Sequence, residues 1–186
     1  MKPLSDAGER ELYWMQPTMK RSFELRAGDD LFATLKFETA VGSLATAESA
    51  SATWTFKRGG VFKPRVTVRV QGTEQNLAVY HLKWGSAEGV LEFADGETYV
   101  WQLANFWATR YQIVGAEGNP LISYTSKIDN ASDLLKDQAR IEMAPEARDK
   151  DKLALLLSIG WYLIVLQQED VMATATAVAS KVVVEK

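Results

Sequence analysis

The chain has 186 residues, a formal net charge of −3 from 21 Lys+Arg against 24 Asp+Glu, 47% hydrophobic residues and 24% charged residues. That length suits one domain, and the balance excludes a collagen, a disordered acidic chain and a wholly basic nucleic-acid binder. There is no cysteine and one histidine, His81, which rules out disulfides, Cys-ligated zinc, iron–sulfur clusters, thiol nucleophiles and any site that takes two imidazoles from one chain.

Residues 1–18 contain no 7–15-residue apolar stretch of the kind an export signal carries, so a cytoplasmic protein is expected. From Glu11 to Met143 apolar and polar residues then alternate in short runs. Phe23 and Leu25 lie between Ser22, Glu24 and Arg26; Trp54 and Phe56 between Thr53, Thr55 and Lys57; Tyr99, Trp101 and Leu103 around Val100 and Gln102. Period two marks strands with one buried face. Twelve such runs fall near 11–15, 19–26, 31–38, 43–48, 51–58, 65–70, 76–83, 88–93, 98–103, 109–115, 120–126 and 138–143. Gly28-Asp29-Asp30, Arg58-Gly59-Gly60, Gly72, Asp95-Gly96 and Gly118-Asn119-Pro120 separate them with turn chemistry. Connections this short predict antiparallel hairpins. The polar stretch Lys127–Gln138 reads as a loop or a single helical turn.

The texture changes at Leu153. Residues 153–166 carry no charge, and acidic residues precede them, which predicts a helix near 149–169. It is apolar on every face and must be surrounded. Fourteen residues rise about 21 Å, short of a ~30 Å bilayer core, so no transmembrane span is expected. A barrel well above eight strands has a lumen too wide for its own side chains to fill. The fold expected is therefore mainly β, an antiparallel barrel of about twelve strands enclosing one hydrophobic C-terminal helix. Residues 171–186, small and Ala/Thr/Val-rich, read as a poorly ordered tail.

Twelve strands followed by one apolar helix at Leu153–Leu166 resemble the Tubby-like barrel superfamily, which includes the LURP-one-related proteins and the phospholipid scramblases. The stretch Tyr99–Tyr111, then Gly118–Tyr124, is similar to the aromatic strand pairs of its bacterial members. The resemblance implies a non-catalytic module, since some members bind phosphoinositide headgroups and some associate with membranes. It transfers no binding residue to this chain.

Lys57-Arg58-Gly59-Gly60-Val61-Phe62-Lys63-Pro64-Arg65 places four cations and no anion in nine residues. As an anion site, Lys57, Arg58, Lys63 and Arg65 would hold phosphate-bearing headgroups, Gly59 and Gly60 would offer backbone N–H groups, and Phe62 would dip into the membrane. The plainer reading is a glycine-rich hairpin with solvated flanks. Lys20, Arg21 and Arg26 are candidates to extend the patch.

Other constellations favour structural roles. His81 alternates onto the face opposite Tyr80, Leu82 and Trp84, and no nucleophile elbow accompanies it. Asp29-Asp30 and Glu169-Asp170 read as turn and helix-end residues, and the segment 129–133 lacks the glycine an EF-hand requires. Trp54, Trp84, Trp101 and Trp161 fall on apolar faces, which suits a core and not base stacking, so no nucleic-acid partner is expected. No catalytic residue, metal or cofactor is expected. The leading reading is a binding module for anionic lipid, peripheral to membranes, or for a protein partner. The alternative is an enzyme or small-molecule carrier using the barrel lumen.

Overall fold

The computed structural model describes the chain except residues 19, 61–62, 84–85, 87, 106–108, 127–137, 149 and 185–186, and beyond residue 176 it describes backbone only. Twelve strands form one closed antiparallel barrel in which each strand pairs with its sequence neighbours and β1 closes on β12. They are β1 Leu12–Met15, β2 Ser22–Ala27, β3 Asp30–Phe37, β4 Ala45–Ser49, β5 Thr53–Gly59, β6 Arg65–Val70, β7 Ala78–Leu82, β8 Gly89–Phe93, β9 Thr98–Leu103, β10 Arg110–Val114, β11 Pro120–Ser126 and β12 Gln138–Met143. The seam pairs Leu12 with Ile141 and Trp14 with Ala139, so the inward side chains form an unbroken ring. Closure leaves no exposed sheet edge.

A single turn, α1 (Pro145–Arg148), leads into the long helix α2 (Leu153–Val184). Every residue from Leu153 to Leu166 is buried. Large and small inward residues alternate around the helix. Trp14 stacks on Trp161 with ring centroids 6.0 Å apart, and Phe37 stacks on Tyr162 at 5.5 Å. Ala33, Ala45 and Ala47 face the interior with no exposure, which leaves room for a helix some 10–12 Å across. Polar tips are satisfied as well. The Trp14 indole donates to the Leu157 carbonyl at 3.2 Å, and the Tyr162 hydroxyl donates to the Ser43 carbonyl at 2.6 Å.

Two boundaries differ from those read in the sequence. The long helix begins at Leu153, after the separate turn α1, not near 149. It also runs past 169 to Val184, so residues 171–184 are helical where a poorly ordered tail is expected. The physical reason is local: after Gln167-Gln168-Glu169-Asp170 there is no Gly or Pro, and Ala173, Ala175, Ala177 and Ala179 are the strongest helix formers. The expected loop at 127–138 lies almost wholly outside the described residues, apart from Gln138, which opens β12.

A strictly up-and-down meander sends its connections alternately to the two ends. The helix enters at the base, where Lys152 meets Asp95 and Glu97 of the β8–β9 turn. It leaves through the mouth, where Arg21 and Arg58 meet Glu169 and Asp170. The base also holds the connections β2–β3, β4–β5, β6–β7 and β10–β11. The mouth holds those before β2 and between β3 and β4, β5 and β6, and β7 and β8.

Candidate functional site at the barrel mouth

The basic hairpin lies at the mouth. Its strands pair Lys57 with Thr67, Arg58 with Val66 and Gly59 with Arg65. Trp54 and Phe56 point inward, so alternation sends Lys57 outward and Arg58 inward, over the opening. Lys57, Gly59, Gly60, Lys63 and Arg65 are exposed. Arg65 lies opposite His81 on the next strand, and His81 is itself exposed, with Glu92 3.8 Å from its Nε2. Arg58 differs from its neighbours: its guanidinium donates to Asp170 at 2.6 Å, which pushes its pKa upward. The four cations are thus split between two faces of the hairpin and do not form one surface.

Gly60 has a turn role. Its φ is +87°, and a Cβ there would run into the Lys63 carbonyl oxygen, so the tight return of the chain requires glycine. Gly59 has open space where a Cβ would be. Phe62, the proposed membrane tip, lies outside the described residues, as do Val61 and Trp84.

Lys20 and Arg21 join the mouth, and Arg26 does not. Arg26 sits at the far end of β2, bonded to Glu24 at 2.6 Å and to the Asp29 carbonyl at 2.8 Å. Five residues of strand, roughly 17 Å, separate it from Arg21. Lys20, Arg21, Lys36, Phe37, Glu38 and Thr39 line an open groove of about 740 Å³, within the range of ligand-sized clefts. Arg21 also lines it, but its guanidinium turns toward the helix. It donates to the carbonyls of Thr39 and Gly42, both at 2.9 Å, lies 3.8 Å above the Phe37 ring and pairs with Glu169 at 2.7 Å.

Among the described residues, Lys20, Lys36, Lys57, Lys63 and Arg65 have no ion-pair partner. Exposed apolar side chains are interleaved with them: Val41 is 89% exposed, Val171 and Met172 67% each, and Leu44 and Leu82 are also open. The base is richer in carboxylates, several of them paired with Lys2, Arg10, Arg69, Lys150 and Lys152. Asp29, Glu74, Asp95, Glu97 and Glu117 gather there, and a second groove of about 640 Å³ is lined by Glu97, Glu117, Glu146 and Lys150.

The lumen is occupied by α2, and Trp54, Trp101 and Trp161 are core residues. Among the described residues no group of three or more His, Asp or Glu is placed to hold a metal, and no helix is long and apolar enough to cross a membrane. Searches against protein-family models, curated proteins and solved structures find no significant match.

Lys36 and Val41 do not stand out in the sequence, where Glu169 and Asp170 read as solvated helix-end groups. Their partners are 112 and 148 residues away in the chain, a separation no local pattern reveals.

Proposed function

We propose that this protein is a non-catalytic, membrane-peripheral module of Tubby-like character that docks the mouth of its barrel on anionic phospholipid surfaces at the cytoplasmic face. The observation that carries this reading is the concentration at the mouth, among the described residues, of cations without an ion-pair partner beside the most exposed apolar side chains. Lys20, Lys36, Lys57, Lys63 and Arg65 supply charge for headgroups, and Val41, Val171 and Met172 supply apolar area for the acyl boundary. The acidic base turns away from the same surface. The filled lumen favours surface binding over a carrier with an internal ligand. The closed meander threaded by its own C-terminal helix supports kinship with Tubby-like barrels.

The test is co-sedimentation with phosphatidylserine–phosphatidylcholine vesicles. The triple variant K57A/K63A/R65A should bind up to about a hundredfold more weakly than wild type, since each cation near such a surface contributes about 1 kcal/mol. The difference should shrink as salt shortens the Debye length, about 8 Å at physiological ionic strength. Phe62→Ala should cause a smaller loss that salt does not change, because it removes apolar contact. No wild-type binding at low salt would end this reading. Equal binding by wild type and the triple variant would move the site elsewhere.

A further inference from the structure

Two arginines at the mouth already hold anions, and both anions come from the chain itself. Arg21 pairs with Glu169 at 2.7 Å and Arg58 with Asp170 at 2.6 Å. The carboxylates belong to consecutive residues at the point where α2 leaves the barrel. We propose that Glu169 and Asp170 are a built-in competitor for the membrane site: on docking, phosphate groups of anionic lipid exchange with the two carboxylates at Arg21 and Arg58. This inference rests on the docking reading above and adds its regulation.

The arginine that matters most does not need its carboxylate to stay in place. Arg21 is fixed by the carbonyls of Thr39 and Gly42 and by the Phe37 ring. Its Nε is buried and finds no hydrogen-bond partner among the described residues. Glu169 therefore neutralises a guanidinium whose position other groups already set. The carboxylates, by contrast, are open to exchange, with side chains 42% and 59% exposed. The Arg58–Asp170 pair, exposed on both sides, contributes little to stability and is screened by salt, whereas the Arg21 side chain in the other pair is only 15% exposed. Burial pushes the Glu169 carboxyl upward against the pull of Arg21, so its ionised form is not held tightly. The geometry at Arg58 also suits exchange, because its side chain is 38% exposed at the mouth, and a phosphate that displaces Asp170 can bond to the same guanidinium.

The experiment is a double-mutant cycle on the full chain, read by co-sedimentation with the same anionic vesicles at low salt. The isosteric pair E169Q/D170N should bind roughly ten- to thirtyfold more tightly than wild type, as two neutralised carboxylates would allow. The control E74Q/E117Q changes net charge equally at the base and should gain clearly less than E169Q/D170N, since its charges lie a barrel's height further from the surface and make no contact with Arg21 or Arg58. In the background R21Q/R58Q the gain from E169Q/D170N should fall below about threefold, because the groups that the carboxylates mask are gone. Thermal melting by circular dichroism confirms that each variant is folded, and the single variants E169Q and D170N, each keeping one pair, serve if the double variant melts early.

An undiminished gain in the R21Q/R58Q background would overturn the proposal, since the carboxylates would then act only by repelling the membrane. Unchanged affinity with lowered melting would also overturn it and leave the pairs as a staple. Either result leaves the docking reading intact if wild type binds and K57A/K63A/R65A binds less. Absence of binding by both wild type and E169Q/D170N removes the docking reading and this inference together.

Discussion

Tyr124 on β11 presses its phenol against the bare Cα of Gly160 in the enclosed helix. A Cβ added at Gly160 would come closer than 3.0 Å to the hydroxyl oxygen, Cζ and Cε2 of Tyr124. From that position the hydroxyl donates to the Leu156 carbonyl at 3.0 Å and the Leu157 carbonyl at 3.2 Å. The hydroxyl has one proton, shared between the two; the Leu156 carbonyl has a second lone pair to offer beyond its helix bond, while that of Leu157 also accepts from the Trp14 indole. Burial keeps the phenol well above its ordinary pKa and hence a neutral donor. One small residue in the helix thus lets a barrel strand bond directly to helix backbone.

Gly160→Ala should therefore destabilise the protein, by about 1–3 kcal/mol as overpacking does. Helix propensity alone predicts the opposite sign, a gain of roughly 0.5–1 kcal/mol. Urea unfolding decides between them: a higher midpoint for Gly160→Ala would mean that the helix does not sit against Tyr124.

The same helix should respond to charge in two different ways along its length. Leu156 has no exposure and Met172 is 67% exposed. Leu156→Asp puts an unpaired charge in the lumen at a cost of several kcal/mol against a total stability of roughly 5–15, and should yield unfolded or insoluble protein. Met172→Asp should change the melting free energy by no more than about 0.5 kcal/mol. Comparing soluble yield and thermal melting of the two checks where enclosure ends.

Much of this architecture is legible in the chain because a closed barrel imposes period two and an enclosed helix must be apolar all round. Each of the twelve runs coincides with a strand to within a few residues, and Leu153–Leu166 lies in the lumen. The helix end is misread because polar Gln167–Asp170 resembles a stop, although only Gly or Pro would have enforced one. The mouth is half legible. The cations between Lys57 and Arg65 are visible as a cluster, but strand alternation turns Arg58 over the opening, and Arg26 lies at the other end of a strand that begins beside Arg21. The bonds to Glu169 and Asp170 depend on barrel closure and helix threading together, which no window of sequence encodes.

Acid should protonate Glu169 at the mouth before the carboxylates of the base, but the stability lost on acidification should come from the base. Lys152 bonds to Glu97 at 2.6 Å, and with Tyr99 as a second donor it holds that carboxyl from the ordinary 4.5 down to about 2. Asp95 is lowered by Lys152 and the Glu97 backbone N–H, and Asp30 by Arg10 and Lys2. Lowered folded-state values mean that the unfolded chain takes up protons first. Stability from these groups is present above pH ~4.5 and lost as pH falls towards 2. Glu97→Gln should lower stability at neutral pH by less than about 1 kcal/mol, because the site is partly solvated. It should also flatten the decline in melting temperature between pH 5 and 2, and an unchanged slope would show that the Lys152 contact carries no linkage.

The claim that the mouth and not the base meets the membrane is tested most directly by attaching a polarity-sensitive fluorophore to single cysteines, which the cysteine-free chain permits without other changes. Val41→Cys and Met172→Cys label the mouth, and Thr73→Cys and Glu117→Cys label turns at the base. On addition of phosphatidylserine–phosphatidylcholine vesicles at low salt, the account predicts blue-shifted, brighter emission from the two mouth labels and no change from the two base labels. A shift at Thr73 or Glu117 with none at Val41 and Met172 would contradict it.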